Sequence, residues 1–221
     1  MNTQRTVLLA GATGLVGGLM LEALLADPQV TTVHALSRRA LRTRHAKLRL
    51  HVVDFGNLPE LPQADEVYLA LGTTIKVAGS QAAFRAVDLD ANLAVAVAAV
   101  AAGARRVGLV SAAGADATSS VFYNRTKGEL EDALKALSLE TLVVARPSLL
   151  LDKREGLNQP SRLGERIAIP IAKVLAPLLP GTYRPVHAQA VALALVRTVP
   201  AAHGVVVLPS DELVRLGTPA P

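Results

Sequence analysis

Residues 8–18 read LLAGATGLVGG, and the four glycines in this first apolar run (Gly11, Gly14, Gly17 and Gly18) decide how the chain is read. A secretory signal is one explanation, because Arg5 precedes the run and no further charge follows until Glu22. A signal needs a compact leucine-like core of about 7–15 residues before a small-residue cleavage site. Here glycines at spacing three interrupt that core. The other explanation is a strand, a glycine turn and a helix. Val7 to Ala10 reads as a short buried strand, and Leu15 to Ala26 has helical content and stops at Asp27-Pro28. Between them lies a G-x-x-G-x-x-G variant of the dinucleotide fingerprint. Gly11 permits the tight turn off the strand, Gly14 lets backbone approach a pyrophosphate, and Gly17 lets the helix pack close. Free N–H groups and the positive end of the helix dipole then face the phosphates. Residues 11–17, with Thr13, Leu15 and Val16 among them, are the expected phosphate cradle.

The rest of the chain fits a single domain. Its 221 residues leave room for a small lobe, expected over residues 152–186 as a substrate-covering segment. The sequence is 51% hydrophobic and only 3% aromatic, so the core is aliphatic. The chain has no cysteine, which excludes disulfides and thiolate chemistry and fits a reducing compartment. The apolar stretch Ala91–Ala104 is too short for a membrane span, which takes about 20 residues. Ile167–Pro180 is broken by Pro170, Lys173 and Pro177. A cytoplasmic protein without a membrane span or a metal is expected.

Net charge is +5, and much of the positive charge falls in one run: Arg38, Arg39, Arg42, Arg44, Lys47 and Arg49. Charge alone admits a nucleic-acid patch. No aromatic residues interleave as stacking platforms, which weakens that reading in favour of a solvated face or a phosphate contact.

Strand and helix signals alternate. Strands are expected near Val7–Ala10, Thr32–Leu36, Leu48–Val53, Glu66–Leu71, Arg106–Val110, Thr141–Ala145 and Val205–Leu208. Helices are expected near Leu15–Ala26, Gln81–Ala102, Phe122–Leu137, Arg162–Leu175 and Ala188–Thr198. This order predicts an α/β fold with a doubly wound parallel sheet, whose ligands sit at the carboxyl ends of the strands.

The residues after each strand are therefore the ones to inspect. Ser37-Arg38-Arg39 follows the second strand, where an NAD-binding fold usually places an acid. No acidic residue occurs between Pro28 and Val53, and a guanidinium suits the 2′-phosphate of NADP. Either arginine can serve; a basic surface turn is the bland alternative. Asp54-Phe55 follows the third strand, as an adenine acceptor with an apolar wall or as a turn cap. Leu71-Gly72-Thr73-Thr74 follows the fourth and would run beside the cofactor ribose. Ser111 ends the fifth, and twelve residues later stands Tyr123-Asn-Arg-Thr-Lys127. Tyr and Lys at i, i+4 share a helix face. A neighbouring ammonium favours the phenolate and brings tyrosine toward working range as a base. Ser111 would hold the substrate oxygen. Arg146-Pro147-Ser148 follows the sixth strand, as a rigid wall against the nicotinamide or a simple strand terminator.

Gly11, Gly14, Gly17, Asp54, Ser111, Tyr123, Lys127 and Pro147 together resemble the short-chain dehydrogenase/reductase superfamily. "LGTTIKVAGSQAAFRAVDLD", "SAAGADATSSVFYNRTKGELE" and "ARPSLLLDKRE" are similar to its atypical branch, which holds the Tat-interacting-protein-like oxidoreductases and their bacterial relatives. The resemblance implies a Rossmann-type domain, NADP(H) and a Ser111-Tyr123-Lys127 site, with Tyr123 and Lys127 also touching the cofactor. It implies too that some members act as regulators. Members often carry an Asn relay residue in the long helix after the fourth strand. Asp88 stands at the matching place here, with Asn92 one turn later.

Three functions follow. The first is an NADPH-dependent oxidoreductase on a carbonyl or alcohol. The second is an NADPH-binding sensor or adaptor. The third, disfavoured by the short C-terminal part, is a nucleotide-sugar epimerase or dehydratase. His187 falls where a helix starts, as a cap or core residue. The small residues of Ala91–Ala102 would allow a homodimer, or would only pack on the sheet.

Overall fold

The computed structural model describes residues 4–152 and 180–218. The helix expected over 162–175, and most of the segment 152–186, lie outside the described residues. Seven strands form one parallel sheet: β1 (Arg5–Ala10), β2 (Val30–Ser37), β3 (Leu48–Val52), β4 (Glu66–Leu69), β5 (Arg106–Val110), β6 (Thr141–Arg146) and β7 (Gly204–Pro209). Their spatial order is β3-β2-β1-β4-β5-β6-β7. The chain reverses its winding between β1 and β4, which opens a crevice at their carboxyl ends.

The helices are α1 (Leu15–Ala26), α2 (Ile75–Ala78), α3 (Gln81–Arg85), α4 (Asn92–Ala101), α5 (Phe122–Lys135), α6 (Ala188–Thr198) and α7 (Ser210–Gly217). The central strands β1, β4, β5 and β6 are buried on both faces and read as apolar runs, whereas the edge strands β3 and β7 leave Val52, Val205 and Val207 exposed. In β1, Val7 and Leu9 join a core with Met20 and Leu24 of α1 and Val191 and Leu195 of α6. Leu8 and Ala10, pointing the other way, join Val95 and Ala99 of α4 and Leu130 and Leu134 of α5.

Three differences from the expected elements matter for the site. The fourth strand stops at Leu69, because after Ala70 donates to the Ala10 carbonyl the chain leaves the ladder, and the Leu71 carbonyl is taken by Asn92 Nδ2 at 3.1 Å. A short helix, α2, follows; the Thr74 hydroxyl accepts from Val77 N, and Gly79 ends it at φ +86°. The long helix expected over 81–102 is interrupted by a π turn over Ala86–Ala91, which separates α3 from α4. Such turns often mark functional sites.

Candidate functional site

The glycine turn is where the sequence placed it. Gly11 has φ +100°, and a Cβ there would lie 2.4 Å from the Ala70 carbonyl oxygen of the neighbouring strand end. A Cβ on Gly17 would lie 2.1 Å from the Gly11 carbonyl oxygen, so α1 can seat on the turn only without a side chain. Gly14 is the N-cap of α1 in extended conformation, and no side chain caps the helix. Its first-turn N–H groups therefore take no side-chain partner from the cap residue. Leu15 and Val16 turn their side chains into the core.

A cleft of about 680 Å3 runs from this turn across the crevice. Gly11, Thr13 and Gly14 form one end; Ser37, Arg38 and Arg39 line one side. Asp54 and Phe55, which follow β3, and Leu71 and Gly72, which follow β4, also line it. Both arginines are exposed, and Ser37 Oγ accepts from Arg39 N at 3.2 Å, which shapes their turn. Asp54 Oδ1 accepts from Gly56 N at 2.9 Å, so one carboxylate oxygen serves its own turn. The cradle that a Cβ would fill, the uncapped helix end and the paired arginines fit a dinucleotide. Lys47 Nζ and Arg49 Nη1, from the same basic run, donate to the backbone carbonyls of Asp27 and Ala46.

Ser111, Tyr123 and Lys127 are brought to the carboxyl end of β5 and the first turns of α5, beyond the residues that line the cleft. Tyr123 is part-exposed, with its ring 5.6 Å from that of Phe84 on α3. Lys127 is buried, and its Nζ lies 2.8 Å from Asp88 Oδ1. Asp88 Oδ2 accepts from Thr73 N at 2.8 Å. One carboxylate on the π turn thus ties the strand-end loop to α5. Its ammonium partner, expected to serve tyrosine and ribose, is engaged by Asp88. Asn92 donates to the carbonyls of Leu71 and Asp88, holding the turn from below.

Ser111 is also engaged. Its Oγ donates to Glu131 Oε1 at 2.5 Å, and Arg146 donates to both oxygens of the same carboxylate at 3.0 and 2.5 Å. Glu131 is fully buried. Its hydrogen bonds push the Arg146 guanidinium above its ordinary pKa, against the effect of burial. Glu131 was missed in the sequence, although the signal was there: it lies four residues after Lys127 and eight after Tyr123, on the same helix face.

Pro147 and Ser148 play local roles. The Pro147 carbonyl accepts from Ala113 N. Ser148 N donates to Ser210 Oγ, and Ser148 Oγ donates to the Arg184 carbonyl, so its polar groups link β6 to α7. The Thr74 hydroxyl is spent on α2. His187 is the N-cap of α6, exposed rather than in the core; Asp152 pairs with its ring and accepts from Ala188 N.

A family model described as NAD(P)H-binding matches residues 11–172. The chain belongs to the NAD(P)H-binding family. Among its relatives is protein fmp52, mitochondrial, of Emericella nidulans, 36% identical over 185 residues that span 79% of each chain. The protein of the same name in Aspergillus clavatus is 39% identical over 159 residues, 67% of this chain and 68% of that one. The solved structure of MoeE5 in complex with UDP-glucose and NAD is 19% identical, with a TM-score of 0.66 over 95% of this chain and 80% of that chain. This last likeness shows the Rossmann-like fold alone. The relatives are named as mitochondrial, which overturns the expectation of a cytoplasmic protein. A cysteine-free chain carries no mark of its compartment, so that expectation had little physical support. No helix among the described residues is long and apolar enough to cross a membrane.

Proposed function

We propose that this NAD(P)H-binding protein is an NADPH-dependent oxidoreductase acting on a carbonyl or alcohol substrate at Ser111, Tyr123 and Lys127. The observation that carries the reading is the placement of Tyr123, part-exposed, one helix turn before Lys127 on α5. Bound in that cleft, the nicotinamide supplies two-electron redox chemistry. Tyr123, part-exposed at the start of α5, would give or take the proton on the substrate oxygen. Ser111 would fix that oxygen, and Lys127, held by Asp88, would carry positive charge toward the ribose and the phenol. Arg38 and Arg39, with no acid in their turn, favour NADPH over NADH. Asp54, Phe55, Leu71, Gly72, Thr73 and Arg146 complete the cofactor walls in this reading. The chain would be one dinucleotide-binding domain, with residues 152–186 over the substrate. No nucleic-acid partner is proposed, since two of the six basic residues are bonded to nearby carbonyls.

A specific observation favours a second reading, an NADPH sensor or adaptor. Both Ser111 and Lys127 already satisfy carboxylates, so two of the three site residues have structural partners. Calorimetry with NADPH and NADH, followed by NADPH oxidation against a panel of aldehydes and ketones, separates the two. Tighter NADPH binding with turnover supports the enzyme. NADPH binding without turnover, but with a shift in association with a protein partner, supports the sensor.

A further inference from the structure

Tyr123 stands in the first turn of α5, and polar partners do not fix it there. The N-cap of that helix, Val121, gives no side-chain hydrogen bond. Arg125 donates to the carbonyls of Ser119 and Ser120, which ties down the backbone before the helix and not the tyrosine. The Tyr123 hydroxyl has no hydrogen bond among the described residues. Packing therefore directs its ring. The ring it meets is that of Phe84 on α3, with centroids 5.6 Å apart and planes at 47°. Tilted pairs at this separation are favourable aromatic contacts. Phe84 is wholly buried and also meets Phe122 edge-on at 5.8 Å. A close-packed interior leaves such a ring little freedom.

The spacing of these contacts is matched on the two elements. Phe84 lies four residues before Asp88, as Tyr123 lies four before Lys127. Phe84 meets Tyr123, and Asp88 Oδ1 lies 2.8 Å from Lys127 Nζ. One short stretch thus holds both residues assigned to proton transfer, one through an apolar contact and one through an ionic contact. Ala86 and Val87, within that stretch, line the cofactor cleft, whereas Phe84 does not.

We infer that Phe84 is a positioning residue for the reaction: its buried ring sets the direction of the Tyr123 phenol, so that the phenolic proton meets the substrate oxygen. The inference rests on the oxidoreductase reading above. Phe84 touches neither cofactor nor substrate in this account and acts through Tyr123. Direction matters because misplacing a reacting group by about 1 Å costs on the order of a hundredfold in rate.

The test uses the full chain, NADPH and the aldehyde or ketone of the panel that is reduced fastest. Phe84→Leu keeps a large apolar side chain and removes the ring. Phe84→Met, whose flexible chain fills irregular gaps, takes its place if circular dichroism shows the leucine variant unfolded. NADPH affinity by calorimetry should stay within about twofold, and kcat should fall by about ten- to a hundredfold. The deciding comparison is made in the Tyr123→Phe background, at high enzyme concentration. There the proton is already gone, so Phe84→Leu should change the residual kcat by less than about twofold. A third measurement needs no turnover. The chain has three tyrosines, so 3-fluorotyrosine labelling gives a 19F spectrum in which Tyr123 is assigned by its loss in Tyr123→Phe. Its resonance should shift in Phe84→Leu while those of Tyr68 and Tyr183 stay. An unchanged kcat in Phe84→Leu, a parallel fall in NADPH affinity, an equal loss of kcat in both backgrounds or an unmoved Tyr123 resonance overturns the inference. A wild type that binds NADPH but reduces no carbonyl overturns the oxidoreductase reading itself, and the inference with it.

Discussion

Lys127 and Asp88 should be worth more to each other than either is to the fold alone. Their charged atoms are 2.8 Å apart, and their side chains are 5% and 2% exposed. At an effective dielectric constant of about 20, two unit charges at this distance attract by roughly 6 kcal/mol. Desolvation of both groups offsets much of that. Removing one partner leaves the other charge buried: Lys127→Met strands a carboxylate whose remaining partner is Thr73 N, and Asp88→Asn strands an ammonium. Each single variant should lose about 3–5 kcal/mol of stability. The double variant Asp88→Asn/Lys127→Met should lose far less than the sum, with a coupling of roughly 2–3 kcal/mol. Urea unfolding of the four proteins, followed by circular dichroism at neutral pH, measures this directly. A coupling below about 0.5 kcal/mol, the level of an exposed pair, would refute the buried-pair argument.

Other expectations can be checked one by one. Arg38→Ala/Arg39→Ala should weaken NADPH binding about ten- to a hundredfold by calorimetry and leave NADH nearly unchanged, since only the 2′-phosphate loses its partner. Tyr123→Phe keeps the ring against Phe84, so NADPH affinity should hold while any carbonyl turnover falls by roughly 10²–10⁴-fold. Glu131→Ala leaves Ser111 and Arg146 without their acceptor and should lower the thermal midpoint clearly, whereas Glu131→Gln, which can still accept one bond, should lower it less. Burial raises the pKa of Glu66 above its ordinary value of 4.5, against the opposing Arg5 guanidinium and the Tyr68 hydroxyl. The folded state therefore holds this proton more firmly than the unfolded one. Its contribution is full below pH 4.5 and is lost as pH rises through the higher folded value, so wild type minus Glu66→Gln stability should decline over that window; a flat difference would contradict the burial effect.

The sequence disclosed the backbone of the site better than its side-chain chemistry. Gly11 and Gly17 were legible because a missing Cβ has one meaning where a strand turns into a closely packed helix. Tyr123 and Lys127 were legible because their spacing puts them on one helix face. The partners of these residues were not. Asp88 meets Lys127 across thirty-nine positions, and Glu131 meets Arg146 across fifteen, and spacing says nothing about distances between elements. Ser148 and Thr74 looked like ligand contacts at strand ends, but nearby backbone groups claimed their hydroxyls. The π turn was invisible because its residues, Ala-Val-Asp-Leu-Asp-Ala, suit an ordinary helix equally well; tertiary contacts choose between the two.

That turn also sets the phase between two halves of one rod. An α-helix advances about 100° per residue, so one extra residue rotates everything downstream by about that angle. Upstream, Phe84 meets Phe122 and Tyr123; downstream, Val95, Ala96 and Ala99 seat on the sheet. A chain one residue shorter here would have a regular helix and a conflict: it could dock its aromatic end or its aliphatic end, but not both. The extra residue works as a keyed joint. A single-residue deletion within 86–91 should therefore give up one of the two contacts.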